Sequence, residues 1–273
     1  MPELNLSNLR LYYSAREQAA AGLAAAACEK STRLLRQLWG LEPPEDCRVY
    51  IMTSWPGFLF ASAPGLWKAY LALTFPLVAW RAGSIWPYAG GWTLAYGRRC
   101  AVVGVKPPRL MESANRSIGE QLFLADRNAR EKVETVTCHE LAHAFCIHLR
   151  LPVWLNEGLA TRAMEHYLGR PVVRPETLAL LGGNDLTGWM HSPRIKHPQE
   201  LVRLYARGYW LTRYMEETRP ELLPALLSRR MPHRELLDAM AAAYGSGSEL
   251  FWREIGGKVR AHFGDGGSDG ARR

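Results

Sequence analysis

Apolar positions recur at helical spacing over most of this chain, whereas strand-like runs occur only in its first half. The first helical pattern lies in an Ala-rich stretch, with apolar positions at Leu23, Ala27, Leu34 and Leu38. S-A-R-E, from Ser14 to Glu17, has the form of a capping box. Gly40, followed by Pro43 and Pro44, is a stop signal. The pattern therefore predicts a helix from Ser14 to Gly40.

Two short runs of β-branched and aromatic residues predict strands at Arg48–Met52 and Arg98–Val105. Helical spacing then returns from Asn128 to Leu149 and, after Pro152, from Val153 to Leu168. The last third predicts helices at about Gln199–Glu217, Glu221–Ser228, Arg234–Tyr244 and Glu249–Phe263. Strands come early and helices come late, so the pattern predicts an α+β fold.

This layout predicts one domain over residues 1–263, with a sheet-containing part at about 1–150 and a helical part at about 151–263. The length is ample for a sizeable core. The tail GDGGSDGARR (264–273) is so polar and Gly-rich that we expect it to be disordered.

Composition adds a formal charge of +8, spread along the chain without a Lys/Arg block, so we expect no nucleic-acid partner. The five cysteines are widely spaced, form no C-x-x-C pair and are odd in number, which argues against a disulfide framework. The amino terminus has no basic region followed by an apolar core, so no signal peptide is predicted. We expect a cytoplasmic location.

The segment Trp55–Trp92 is unusual because it holds five of the ten tryptophans. Its run AYLALTFPLVAW, flanked by Lys68 and Arg81, is too short to span a bilayer. Aromatic residues and basic flanks around an apolar run are typical of a segment that docks at a membrane surface or on a partner. Aromatic packing inside a core produces the same pattern, so the sequence leaves both interpretations open.

The stretch TCHELAHAFCIHLRLPVWLNEGLATR, from Thr137 to Arg162, carries the candidate chemistry. His139 and His143 are four residues apart, so both imidazoles leave one face of a helix. Such a pair can converge on zinc, which takes nitrogen ligands at about 2.0–2.1 Å. Glu140 lies about 100° around the helix from His139, where it can reach a water beside the metal as a general base. H-E-x-x-H alone also arises by chance in unrelated helices.

A zinc site needs a third ligand, and three residues are candidates. His148 is one residue out of register with the metzincin pattern H-E-x-x-H-x-x-G-x-x-H. Cys146 shares the histidine face, but its distance from His139 is about 10.5 Å along the helix axis, too far for one ion. Glu157 falls in the first or second turn of the returning helix, facing the two histidines. We therefore predict Glu157 as the third ligand.

H-E-L-A-H followed by P-V-W-L-N-E-G-L-A-T resembles the gluzincin zinc peptidases, and more closely their peptidase MA-like branch. The resemblance implies a zincin-like fold, with His139, His143 and Glu157 on Zn²⁺ and Glu140 as the base. It departs from the family at two points. The Gly-x-Met-Glu-Asn motif that holds a free amine in aminopeptidases is absent, and Thr161 replaces an acid that orients a zinc-bound histidine in some relatives.

Y-A-R-G, from Tyr205 to Gly208, resembles the Y-x-x-G helix of the aminopeptidase-like gluzincins. A protonated phenol can donate a hydrogen bond to a developing oxyanion, and Gly208 would let its helix approach the metal helix closely. Tyr209 and Tyr214 are rival tyrosines in the same segment.

These residues predict zinc-dependent hydrolysis of a peptide or protein substrate, with Glu140 as the base and Tyr205 as the oxyanion donor. We expect an endopeptidase, because no amine-anchoring acid is visible upstream, and we expect the strand Arg98–Val105 at the cleft edge. The alternatives are an aminopeptidase of the same superfamily, a non-catalytic zinc-stabilised module that binds a membrane surface or partner through Trp55–Trp92, and a scaffold without metal.

Overall fold

Two short strands open the chain, β1 (Glu3–Leu6) and β2 (Leu9–Tyr12), and a 3-10 turn at Ala15–Glu17 leads into helix α1 (Gln18–Trp39). The computed structural model describes residues 1–83, 86, 89–111, 119–182, 186 and 198–264, with side chains for all of these except 77–83 and 198. The predicted capping box is wrong, because the Ser14 side chain makes no capping hydrogen bond. Gly40 ends α1 in the left-handed conformation, as predicted.

The middle of the chain supplies the remaining strands and an aromatic helical hairpin. Its elements are β3 (Asp46–Ile51), α2 (Trp55–Ser62), α3 (Gly65–Gly83), β4 (Gly91–Ala95), β5 (Cys100–Val105), α4 (Pro108–Met111) and α5 (Gly119–Leu122). Ser54 caps α2 by accepting a hydrogen bond of 3.2 Å from the Gly57 N–H. The strand expected at Arg98–Val105 is β5, and it ends before Pro107 as the sequence predicts.

The second half of the described chain is helical. Its elements are α6 (Ala129–Cys146), α7 (Val153–Leu168), a 3-10 segment at Pro175–Leu181, α8 (Pro198–Thr218), α9 (Leu222–Leu227), α10 (His233–Ala243) and α11 (Ser248–Gly264). Each of the predicted helices is present to within a few residues. The predicted disordered tail lies outside the described residues except for Gly264, which ends α11. The coarse α+β class is therefore confirmed.

The described strands form a five-stranded mixed sheet in the order β1-β2-β3-β5-β4. β3 pairs in parallel with β2 and β5, while β1 and β4 lie antiparallel to their neighbours. The expectation that Arg98–Val105 lies at the cleft edge is wrong, because β5 pairs on both sides. The edge strand next to β5 is β4, which the hydrophobic pattern did not predict.

Side chains alternate between two layers across this sheet, as the period of a strand requires. From β5, Ala101, Val103 and Val105 join the main core with α1 and α6, whereas Val102 faces the other side. That other side is covered by α2 and α3 through an aromatic cluster that includes Trp55 and Trp92. In the part of the chain that the structure describes, no helix is long and apolar enough to cross a membrane.

Helix α7 is held between α6 and α8 by a close helix crossing. A Cβ added to Gly208 would lie 2.2 Å from the carbonyl oxygen of Trp154, and one added to Gly158 would lie 2.4 Å from that of Gly208. The crossing thus needs glycine in both helices. Arg162 of α7 reinforces it with an ion pair of 2.6 Å to Glu216 of α8. The predicted close approach of Gly208 is confirmed, and its partner is the helix that carries Glu157.

Candidate metal centre

The three predicted ligands converge where α6 and α7 lie side by side. Asn128 caps α6 by accepting a hydrogen bond of 2.9 Å from the Glu131 N–H, and Pro152 precedes the first residue of α7. The Nε2 atoms of His139 and His143 lie 3.1 Å apart. Oε2 of Glu157 lies 3.5 Å from each of these nitrogens. Among the His, Cys, Asp and Glu side chains of the described residues, these three are the ones placed closely enough to hold a metal ion together.

The spacing of these three atoms fits zinc. Ligand atoms at about 2.0–2.1 Å from a tetrahedral ion are about 3.3–3.4 Å from one another. The observed separations of 3.1 and 3.5 Å bracket that value. Oε2 of Glu157 is buried and accepts no hydrogen bond from the described residues, an arrangement that is costly unless a cation binds there. The residues present therefore fit the metal.

His143 and Glu157 shift each other's pKa in opposite directions. Burial by itself lowers the pKa of His143, but the Glu157 carboxylate, together with Glu140 and the Asn156 side chain, outweighs burial and raises that pKa to about 9. Burial raises the pKa of Glu157, and the two imidazoles overcome it, so this pKa lies well below its usual range. The cluster therefore holds a proton that a metal ion would replace.

The outer support of the histidines is sparse. Among the described residues, nothing hydrogen-bonds to Nδ1 of His139 or of His143. Thr161 is buried one turn after Glu157, and its hydroxyl also lacks a partner in the described part of the chain. Thr161 therefore orients neither histidine.

Glu140 lies beside the ligand trio and is fixed by the edge strand. The hydroxyl of Thr93, on β4, lies 2.6 Å from Oε2 of Glu140 and 3.0 Å from its backbone carbonyl oxygen. A Cβ added to Gly91 would lie 2.5 Å from Cγ of Glu140, so the strand passes directly over this side chain. Glu140 is buried apart from a small exposed fraction, and it is not part of the ligand trio. Its position suits a general base.

Tyr205 of α8 completes the site. Its ring stacks on the ring of His139 with centroids 6.4 Å apart and an angle of 6° between planes. Burial, followed by the charge of Glu157, raises its pKa well above the usual value, so the phenol remains a proton donor. The two other candidate tyrosines make contacts outside the site. Tyr209 donates a hydrogen bond of 2.5 Å to Glu165, and Tyr214 stacks on Tyr244.

Two recesses meet at the site, and His139, Glu140 and Tyr205 line both. One is a cavity of about 240 Å³. Its apolar wall includes Leu122, Leu124, Val136, Met164, Leu168 and Leu201. The other is an open groove that runs along β4, with Trp92, Asn156 and Arg150 in its walls. A chain lying along β4 would thus pass over the ligand trio with an apolar recess beside it.

Some of the site was not predicted from sequence. Thr93 and Gly91 lie 47 or more residues before Glu140, in a short strand without a clear pattern. The alternation of Trp92, Leu94 and Tyr96 with smaller residues was the only local signal for that strand. His148 and Cys146 are not the third ligand. His148 is exposed, and Cys146 lies outside the ligand trio.

No protein-family model matches this chain, and no curated protein is significantly similar to it. What the site can do chemically therefore follows from its own residues. Two imidazoles and a carboxylate can hold a divalent cation, a second carboxylate can accept a proton, and a phenol can donate a hydrogen bond to an oxyanion. All of these groups face one cleft.

Proposed function

We propose that this protein is a zinc-dependent endopeptidase with a zincin-like fold, of the gluzincin type and the peptidase MA-like branch. The single observation that carries the proposal is the trio of His139, His143 and Glu157 at zinc-ligand spacing, with Glu140 beside it and outside it. A purely structural zinc site would have a closed fourth position and no need for a base.

Each residue has a role in hydrolysis. His139, His143 and Glu157 would hold Zn²⁺, which when bound polarises a carbonyl and acidifies water. Glu140 accepts a proton from the attacking water and later delivers it to the leaving nitrogen. Thr93 holds the Glu140 carboxylate in place. The Tyr205 phenol, protonated at neutral pH, donates a hydrogen bond to the oxygen that gains negative charge.

The edge strand supports a peptide as the substrate. β4 pairs with β5 on one side, and none of the described strands pairs with its other side. An extended peptide can add to such an edge through main-chain hydrogen bonds. Because Thr93 of β4 contacts Glu140, a peptide on this edge would place its backbone near the base. The groove along β4 is open, as binding within a longer chain requires.

Endopeptidase activity is favoured over aminopeptidase activity by the charges along the cleft. Among the described residues that line the two recesses, the carboxylates are Glu140, Glu157 and Asp126. Asp126 lies in the apolar cavity. Burial raises the pKa of Asp126, which weakens it as an anchor for a substrate's ammonium group. Peptides with blocked amino termini should therefore be cleaved at least as well as those with free amines.

The deciding experiment measures metal content and peptide hydrolysis together, for the wild type, Glu140→Gln and Glu134→Gln. Glu134 is on the same helix and pairs with Arg130, so its variant controls for the loss of a carboxylate on α6. We expect about one zinc per chain in all three proteins. Turnover should fall by at least about 100-fold in Glu140→Gln alone.

The other outcomes distinguish the alternatives. Wild-type protein that binds zinc but cleaves no member of a peptide library would be a non-catalytic zinc-stabilised module. Protein that binds no zinc would be a scaffold. Full activity in Glu140→Gln would show that the base has been assigned to the wrong residue.

A further inference from the structure

Helix α3 carries a concentrated patch of exposed apolar side chains. Leu66 is 91%, Trp67 47%, Tyr70 56% and Leu73 84% exposed, and these four residues are called the α3 patch below. Leu66, Tyr70 and Leu73 follow helical spacing, so they form one stripe. The other large apolar side chains that are exposed in the described part of the chain, Met1, Val153 and Leu250, are scattered over separate elements. Clustering of this kind marks an interaction surface.

The exposure of the α3 patch does not result from poor packing of α3 on the rest of the domain. The inner face of α3 already packs on the domain, because buried Leu71 joins the cluster of Trp55 and Leu59. The ring of Trp67 contacts Tyr96 at the end of β4, with centroids 5.8 Å apart, and contacts Tyr70 at 5.9 Å. The rings of Trp67 and Tyr70 are thus held in place by aromatic contacts while about half of each side chain stays exposed.

The chain segment that carries the patch is basic in sequence. Residues 47–111 contain no Asp or Glu and seven basic residues, Arg48, Lys68, Arg81, Arg98, Arg99, Lys106 and Arg109. Arg48 and Arg109 pair with Asp46 and Glu17, and Lys106 is buried, so among the described side chains the remaining basic residues are the ones that can act at the surface. Lys68 is exposed next to Trp67, and Arg98 and Arg99 are exposed in the turn after Tyr96. Arg99 has an acidic neighbour, Glu45 at 3.6 Å, but that pair is open to solvent and weak.

We propose that the α3 patch docks on a lipid bilayer that contains anionic lipids. Leucines enter the boundary of the acyl chains, Trp67 and Tyr70 lie at the level of the headgroups, and the basic segment is attracted to the negative surface. A second copy of this chain is a poorer occupant, because it would bring two acid-free basic segments together. The inference is independent of the proposed function, and either can fail without the other.

Vesicle flotation of the full chain tests this docking. The vesicles are phosphatidylcholine alone and phosphatidylcholine with about a third phosphatidylglycerol, and the proteins are the wild type, Leu66→Ser/Leu73→Ser and Leu250→Ser. Leu250 is a matched control, since it is 50% exposed and lies on α11. Wild type and Leu250→Ser should float with the anionic vesicles, and the double variant should partition at least about tenfold less.

Lys68→Glu should also weaken flotation, and added salt should weaken it for the wild type. Circular dichroism and thermal midpoints equal to those of the wild type would show that the variants fold. Wild-type protein that stays with neither vesicle type overturns the proposal, as does flotation that the double variant retains. Equal flotation with both vesicle types overturns the anionic requirement. A patch-dependent dimer in sedimentation without lipid binding would identify a second copy as the occupant instead.

Discussion

Thr93 and Glu140 connect the edge strand β4 to helix α6 through a hydrogen bond of 2.6 Å from hydroxyl to carboxylate. The same hydroxyl lies 3.0 Å from the backbone carbonyl oxygen of Glu140, so its one proton has two acceptors within reach on that residue, of which the carboxylate is the nearer. A hydrogen bond to a charged acceptor is stronger than one between neutral groups. The strand on which we propose the substrate binds therefore also positions the base.

Thr93→Val should leave zinc content and KM near the wild-type values and lower kcat by about tenfold, because a hydrogen bond to a charged group contributes about 1.5–3 kcal/mol and part of it is recovered by water. Thr93→Ser keeps the hydroxyl and should restore most of kcat. Steady-state kinetics on one peptide, with zinc measured in the same samples, checks both. A serine variant as impaired as the valine variant would show that the methyl group matters and the hydrogen bond does not.

Tyr205→Phe should lower kcat by about 100-fold or more, since removal of one oxyanion donor has an effect of that size. Zinc content should not change, because the phenol is not in the ligand trio. Tyr214→Phe is the matched control, as Tyr214 is buried against Tyr244 far from both recesses. If the Tyr214 variant loses kcat and the Tyr205 variant does not, the oxyanion donor has been assigned to the wrong tyrosine.

The parts of the fold that the sequence predicts well are those set by local signals. Helix α7 has the predicted bounds, Val153–Leu168, because Pro152 before it and Gly169 after it mark its ends. His139 and His143 share a face because four residues make about one helical turn. The candidate metal ligands can therefore be predicted from the local sequence once the helical hairpin is recognised.

The parts that the sequence did not predict depend on contacts between distant segments. Strands β1, β2 and β4 have four or five residues each, too few for a clear alternating pattern. β2 forms part of the sheet by pairing Arg10 with Arg48, and β4 by pairing Thr93 with Val103. The pairing of β4 with β5 places Thr93 beside Glu140, far from it in sequence. Helices α2 and α3 were missed because their apolar residues cover more than one face.

Gly208→Ala should destabilise the protein by about 3 kcal/mol or more, because overpacking at a rigid backbone contact exceeds the usual cost of an added methyl group. The new Cβ would lie 2.2 Å from the carbonyl oxygen of Trp154 and force α7 and α8 apart. Gly22→Ala is the control, since nothing lies within 4 Å of its Cβ position on α1. It should stabilise the chain by about 0.5–1 kcal/mol. Urea unfolding of both variants measures the difference, and equal stabilities would refute the tight crossing.

Zinc affinity should increase with pH, because the metal must displace a proton from the His143 imidazole, which the nearby Glu157 carboxylate keeps charged. Glu157 raises the pKa of His143 to about 9 in the metal-free protein, so the imidazole is charged at neutral pH. Between pH 6 and 8 the apparent Kd should fall by roughly tenfold per pH unit and level off above the pKa. Competition with a fluorescent zinc chelator measures this slope.

Glu157→Gln separates this effect from general titration. The amide removes both a zinc ligand and the charge that raises the His143 pKa. Affinity should fall by at least about 100-fold, more than for loss of an outer hydrogen-bond partner. The slope below pH 8 should also become shallower, since the imidazole no longer holds its proton against a carboxylate. A variant that keeps the wild-type affinity and slope would show that Glu157 neither binds the metal nor controls the proton it replaces.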